Sequence, residues 1–157
     1  MSNLRITTPT DREILITREF NAPRQLVWDA FTQPEMLKRW FFGPPGWSLV
    51  VCEVALEVGA KYRYVWRHDN GNEMGISGVC LEIVPPERMV STEKFDQAWY
   101  EGEAVGTILL TEQDGRTTLL QTIRYESREV RDGVLRSPME QGLAAGYDRL
   151  AELVEAA

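Results

Sequence analysis

Apolar and polar residues alternate from Glu13 to Phe20, with Ile14, Ile16 and Phe20 on one side and Thr17 and Glu19 on the other, which predicts a strand. Residues 1–12 read as a loose lead-in. Asn21-Ala-Pro23 then opens a helix, with Asn21 placed to cap it and Pro23 tolerated in its first turn. Leu26, Val27, Ala30 and Phe31 form the apolar face of that helix. Thr32-Gln-Pro-Glu35 fits a capping box, in which hydroxyl and carboxylate satisfy each other's orphan amides. It predicts a second short helix that buries Met36, Leu37 and Trp40 and stops at Gly43-Pro-Pro-Gly46.

Strands follow. Val50, Cys52, Val54 and Leu56 alternate with Val51, Glu53 and Glu57. Tyr62, Tyr64 and Trp66 alternate with Lys61, Arg63, Val65 and Arg67, the cleanest period of two in the chain. His68-Asp-Asn70-Gly71 reads as a hairpin loop, because Asn-Gly accepts positive φ angles. Met74–Val84, Met89–Phe95, Ala104–Gln113 and Arg116–Glu126 complete the set, the last two joined by Asp114-Gly115. Ser137-Pro-Met-Glu140 starts a final helix with a Ser cap, a first-turn Pro and a Glu that closes the box. Met139, Leu143, Tyr147, Leu150 and Val154 recur along it at helical spacing. The order β-α-α-β-β-β-β-β-β-α predicts an α+β helix-grip fold over residues 13–157: a seven-stranded curved antiparallel sheet wrapped around a long C-terminal helix, with two short helices between strands 1 and 2.

Composition narrows the function. Acidic residues outnumber basic ones 24 to 17 and no Lys/Arg cluster occurs, so neither nucleic acid nor an anionic membrane surface is an expected partner. Met1–Pro9 is polar, unlike a signal peptide, and no apolar run reaches the length of a membrane span, so a soluble cytoplasmic protein is expected. With two cysteines and one histidine, no metal site or cofactor motif is expected. No pattern sets the oligomeric state, and a homodimer is compatible with the chain.

Acid–base chemistry would most naturally use the single histidine, but His68 lies in a charged turn and reads as an exposed turn residue. Glu93 shares strand parity with Met89 and Phe95. If that side faces inward, Glu93 is a buried acid with a raised pKa; the alternative is an outward or Arg-paired carboxylate. Gln121 alternates with Leu119, Ile123 and Tyr125 as a lone polar group, able to orient a ligand or simply to bond Tyr125 or water. Aromatic residues concentrate at Trp40-Phe-Phe42, Trp47, Tyr62, Tyr64, Trp66, Phe95 and Trp99-Tyr100, as core or as cavity wall. Gly142 and Gly146, one turn apart on the final helix, either let it sit close on the sheet or leave room beside it.

Arg18-Glu-Phe-Asn-Ala-Pro23, Val27-Trp-Asp-Ala-Phe-Thr32, Trp40-Phe-Phe-Gly-Pro44 with Gly46-Trp47, and Gly78 with Pro85-Pro-Glu-Arg88 form one set of motifs. Thr92-Glu-Lys-Phe-Asp96, Met139-Glu-Gln-Gly142 and Tyr147-Asp-Arg-Leu150 complete it. Together they resemble the START-like superfamily of polyketide cyclase, Bet v and lipid-transfer proteins, and within it the bacterial homologues of the activator of heat-shock-protein-90 ATPase. The resemblance implies the helix-grip fold. It implies function more loosely, since such proteins include ligand carriers, cyclases, antibiotic-sequestering proteins and co-chaperone domains, and no catalytic motif carries over. In the implied strand order the Tyr62–Arg67 strand separates Cys52 from Cys80, two strand spacings or about 9–10 Å, so both are expected to be free thiols.

The expected function is binding of an apolar or aromatic small molecule between the last helix and the sheet, with no cofactor. Expected walls are Trp40, Trp47, Tyr62, Tyr64, Trp66, Phe95, Leu143 and Tyr147, with Gln121 as a polar contact. The alternatives are a cyclase or hydratase using Glu93 as acid/base, and a co-chaperone-like interaction domain.

Overall fold

The computed structural model describes residues 4–96 and 102–156. Its elements run β1 (Arg5–Thr7), β2 (Glu13–Phe20), α1 (Arg24–Thr32), α2 (Pro34–Trp40), β3 (Trp47–Glu53), β4 (Lys61–His68), β5 (Glu73–Val84), β6 (Arg88–Phe95), β7 (Ala104–Gln113), β8 (Arg116–Arg124), α3 (Arg128–Leu135) and α4 (Met139–Glu155). The strands form one eight-stranded sheet in the order β1-β2-β8-β7-β6-β5-β4-β3, every pair antiparallel. The helix-grip arrangement is as the sequence predicts, with one strand more. The lead-in supplies it: residues 5–7 pair with β2 at the sheet edge, a stretch too short to show a period.

Connections follow local chemistry. Asp114 and Gly115 both adopt positive φ, 54° and 77°, and close a two-residue turn between paired Gln113 and Arg116. In the β4–β5 loop, Gly71 turns at φ 92° while the Asn70 side chain accepts the Asn72 N–H. Cys52 on β3 and Cys80 on β5 are both free, with β4 between their strands.

The predicted helix caps fall elsewhere. Asn21 donates its backbone N–H to Glu155 Oε2, and Pro23 holds the N-cap position of α1. Thr32 is the buried last residue of α1 and donates its hydroxyl to the Trp28 carbonyl, leaving Gln33 as the joint before Pro34. Ser137 does not cap the last helix. An additional helix, α3, ends just before it, and Ser137 donates both its N–H and its hydroxyl to the freed carbonyl of Val134. The cap of α3 is Ser127, whose side chain accepts the Val130 N–H.

Two short helices and α4 cover one part of the sheet. Helix α4 buries Gly146, Tyr147, Leu150, Ala151 and Val154. Its backbone comes closest to α1, α2, α3 and β2. Arg18 on β2, itself buried, donates to Asp148 of α4 at 2.7 Å and fixes that docking. None of the described helices is long and apolar enough to cross a membrane.

Candidate ligand site on the inner sheet face

Register determines which side chains meet α4. Pairing places Ile14, Ile16, Arg18 and Phe20 of β2 on the same face as Ile123, Gln121, Leu119 and Thr117 of β8. Continuing across the sheet, that face carries Gly106, Ile108 and Leu110, then Met89, Ser91, Glu93 and Phe95, then Ile76, Gly78 and Cys80. Tyr62, Tyr64 and Trp66 of β4, then Leu49 and Cys52 of β3, complete it. Tyr147 of α4 donates its hydroxyl to Gln121 Oε1, which identifies this as the inner face.

The aromatic residues divide by role. Trp40 is buried, packs edge-on against Phe31 at 5.2 Å, and lies 5.8 Å from the Tyr147 ring. Its indole N–H donates to the Ala30 carbonyl, so this residue ties α2 to α1 as core. Trp66 is also buried and donates to the Phe41 carbonyl at 2.8 Å. Phe41 bridges the two sides of the wall, 5.1 Å from Trp66 and 5.5 Å from Tyr64. Tyr62, Tyr64 and Phe95 face inward yet stay half-buried, as does Leu143 on α4. Trp47 is half-buried and packs against the margin of the core, with its ring edge-on to His68. Trp99 and Tyr100 lie outside the described residues.

His68 departs from expectation. It ends β4 rather than occupying the turn, and it is half-buried against Trp47. Its Nδ1 accepts the Asn70 N–H. Gly46, at φ 93°, passes so near that a Cβ there would meet His68 Nε2 at 2.7 Å. The residue is a packing element of the loop after α2.

Glu93 faces inward, so the outward alternative falls. It pairs with Ala104 in register and shares its face with Ile76 and Phe95. The β5–β6 ladder skips Gly78 and Val79 opposite Thr92 and Glu93. There the Tyr62 hydroxyl donates to the Thr92 carbonyl, and the Thr92 side chain accepts the Val79 N–H. Glu93 is only half-buried by exposed area, yet protein surrounds it closely enough that desolvation pushes its carboxyl up to about 7. Among the described residues its carboxyl has no hydrogen-bond or ion-pair partner. The hydroxyl of Tyr64 is in the same position, and burial raises its pKa too. Tyr147, deeper still, has its pKa raised by burial and then by the nearby Glu93.

Gln121, Tyr147 and Glu93 thus form one polar seam in an otherwise apolar face, with Gln121 accepting the Tyr147 hydroxyl. Neither final-helix glycine serves close approach to the sheet. A Cβ at Gly142 would meet nothing within 4 Å, and one at Gly146 only Arg149, at 4.0 Å. A separate hollow of about 540 Å³, lined by Pro9, Thr10, Asp11, Arg12, Glu13 and Arg124, opens on the outer side and holds none of the predicted site residues.

A family model described as activator of Hsp90 ATPase homolog 1-like protein matches residues 21–155. The chain belongs to this family. No curated protein matches it. Among solved structures, a Rhodobacter sphaeroides protein is 28% identical with TM-score 0.92, over 98% of this chain and 99% of that one. A Nitrosomonas europaea protein is 25% identical with TM-score 0.81, over 95% and 97%. A Chromobacterium violaceum protein is 28% identical with TM-score 0.79, over 93% and 99%. These neighbours share the START-like helix-grip fold, in keeping with the motifs described above.

Proposed function

We propose that this chain binds a small, mainly apolar or aromatic molecule between α4 and the inner faces of β4–β8. The observation that carries the reading is Glu93, an acid turned into the fold, without a partner among the described residues, beside residues that face inward and are still not sealed. A buried polar group left unpaired is costly in a finished core. A ligand would complete it. Tyr62, Tyr64, Phe95, Ile108 and Leu143 supply the apolar walls, and Tyr64, Glu93 and the Gln121–Tyr147 pair supply fixed polar points. Trp40 packs against Tyr147, Trp66 continues the wall beside Tyr64, and Trp47 flanks the loop after α2.

The test is titration with the uncharged fluorophore N-phenyl-1-naphthylamine, with native mass spectrometry to count bound molecules. Enhancement that saturates near one probe per chain supports the reading; no enhancement and no bound species would overturn it.

A second reading, acid–base catalysis on a polyketide-like substrate, draws on the same carboxyl, since a group near 7 exchanges protons readily at neutral pH. It requires turnover that Glu93→Gln abolishes while N-phenyl-1-naphthylamine binding persists.

A further inference from the structure

We infer that the molecule bound on the inner face is an amine: an apolar or aromatic body carrying a cationic nitrogen, which Glu93 receives beside a gap left by Gly106. The inference rests on the binding reading above and adds the chemical class.

Two inner-face glycines, on the strands either side of β6, differ in what they do. At Gly78 a Cβ would strike the Thr92 carbonyl oxygen at 1.9 Å and the Tyr62 ring at 2.6 Å, so glycine is required by crowding. At Gly106 the described surroundings are open: the nearest atoms to a Cβ are Glu93 Oε2 at 3.8 Å and the Ser91 carbonyl oxygen at 4.0 Å. Glycine in a strand interior weakens the strand, and it marks a bulge, a bend or a close approach by backbone or ligand. Here β7 keeps unbroken register with both β6 and β8 from Val105 to Leu109, so no bulge calls for the glycine, and Gly106 has no positive φ. No described backbone crowds it either. The position leaves room for a ligand, and that room borders the carboxyl of Glu93.

Charge then selects the class. The titratable groups that share the inner face with Glu93 are Tyr62 and Tyr64 of β4, Cys80 of β5 and Cys52 of β3, and Tyr147 of α4 lies near its carboxyl. Burial raises the pKa of Tyr64, Tyr147, Cys52 and Cys80, which keeps all four neutral around pH 7. The inward cation, Arg18 of β2, is tied to Asp148. Arg149 of α4 donates to the Trp40 carbonyl and lies 4.1 Å over the Phe42 ring. Lys38 and Arg39 of α2 are exposed. A ligand carboxylate would meet the like charge of Glu93, while Arg18, near Tyr147, is engaged by Asp148, and Lys38 lies near Cys52 of β3, across β5 and β4 from Glu93. An ammonium group would form a charge-assisted hydrogen bond, with the tyrosine rings offering π faces to the same charge.

The experiment compares three probes of one body on the intact chain by calorimetry: 1-naphthylmethylamine, 1-naphthylmethanol and 1-naphthoate. The ammonium form should bind about tenfold or more tighter than naphthoate at pH 8. Because the Glu93 carboxyl sits near 7, ammonium affinity should rise about tenfold from about pH 6 to about pH 8 as the carboxylate forms, while the alcohol changes little. Glu93→Gln should erase both the ranking and the pH dependence. Gly106→Val, which fills the gap with a strand-forming side chain, should weaken ammonium and alcohol alike by about tenfold or more. Equal or tighter binding of naphthoate, or a ranking unchanged in Glu93→Gln, overturns the amine assignment, and the cavity reading survives if N-phenyl-1-naphthylamine still binds. Absence of binding by all four molecules overturns both.

Discussion

On the β2–β8 side of the inner face, Ile14, Ile16, Phe20, Leu110 and Leu119 are all 0% exposed. On the β4–β6 side, Tyr62, Tyr64, Met89, Glu93 and Phe95 point the same way and remain half-buried. One alternation rule orients both sets, and the difference comes from what lies above them. Helices α1 and α4 settle over β2, β7 and β8, while α2 lies against β3 at the far edge; on the β2–β8 side the Arg18–Asp148 bond, the Thr117 hydroxyl on the Ala22 carbonyl, and the Phe20–Tyr147 ring contact join the layers. Over the middle strands the contacts are longer side chains reaching across, such as Phe41 onto Tyr64. Facing inward and being packed are therefore separate properties in this fold. The second depends on where the helices sit, which strand periodicity does not encode.

Helix α4 spans both regions, so it offers the sharpest test. Leu150→Ala, in the sealed half, should cost about 2–5 kcal/mol, because the lost transfer energy adds to a cavity that cannot collapse. Leu143→Ala, two turns earlier and half-buried, should cost less than half as much. Urea unfolding of both variants checks this, and equal losses would erase the distinction between the halves.

A smaller effect follows from Glu93. Its folded pKa, about 7 against an ordinary 4.5, means the native state binds more protons than the unfolded chain in that interval. Stability should therefore fall as pH rises from about 4.5 to about 7, and stay lower above it, by up to about 2–3 kcal/mol. Glu93→Gln should remove that fall and gain stability relative to wild type above neutrality, read from unfolding curves at about pH 5 and about pH 8. A variant with the same pH slope as wild type would show that the carboxyl is well solvated.

The smallest effect concerns the final helix. Gly142 is exposed, and a Cβ there meets no described atom, so Gly142→Ala should raise stability by about 0.5–1 kcal/mol through helix propensity alone. A loss measured by thermal unfolding would mean that the gap at this turn has a neighbour.

The fold was legible because its strands alternate strongly. β2 and β7 begin and end where the pattern puts them, and β4 presents Tyr62, Tyr64 and Trp66 on one face as its period requires. Strand β1 escaped notice because three residues carry no period, and α3 because Arg131 is buried where an apolar residue would signal a helix face. That guanidinium donates to the Thr10 carbonyl, a tertiary contact with no local signature. The capping motifs at Thr32 and Ser137 misled because a preceding helix uses the same side chains.

The candidate site was readable in part. Periodicity put Tyr62 and Tyr64 on the inner wall, but it did not show that the indole N–H groups of Trp40 and Trp66 bond to backbone carbonyls. Ser91-Thr-Glu-Lys-Phe95 carries polar residues on both faces, so the direction of Glu93 had to come from its partner strands. Gly106 did leave a signal, a lone glycine inside an apolar strand, and its meaning depends on Glu93 standing beside it.

The pairing of β2 with β8 also has a consequence for how the chain is made. Strands β3 to β8 form a meander in which each hairpin can close as it leaves the ribosome, whereas β2 must wait for β8, and α1 and α2 for α4. Ordering so long an intervening segment precedes any contact that rewards it. The last turns of α4 hold the decisive grips on the early chain: Asp148 takes Arg18, and Glu155 takes the backbone N–H of Asn21. A nascent chain halted before these residues emerge presents Phe20, Val27 and Phe31 without their cover, apolar surface that completion of the helix removes.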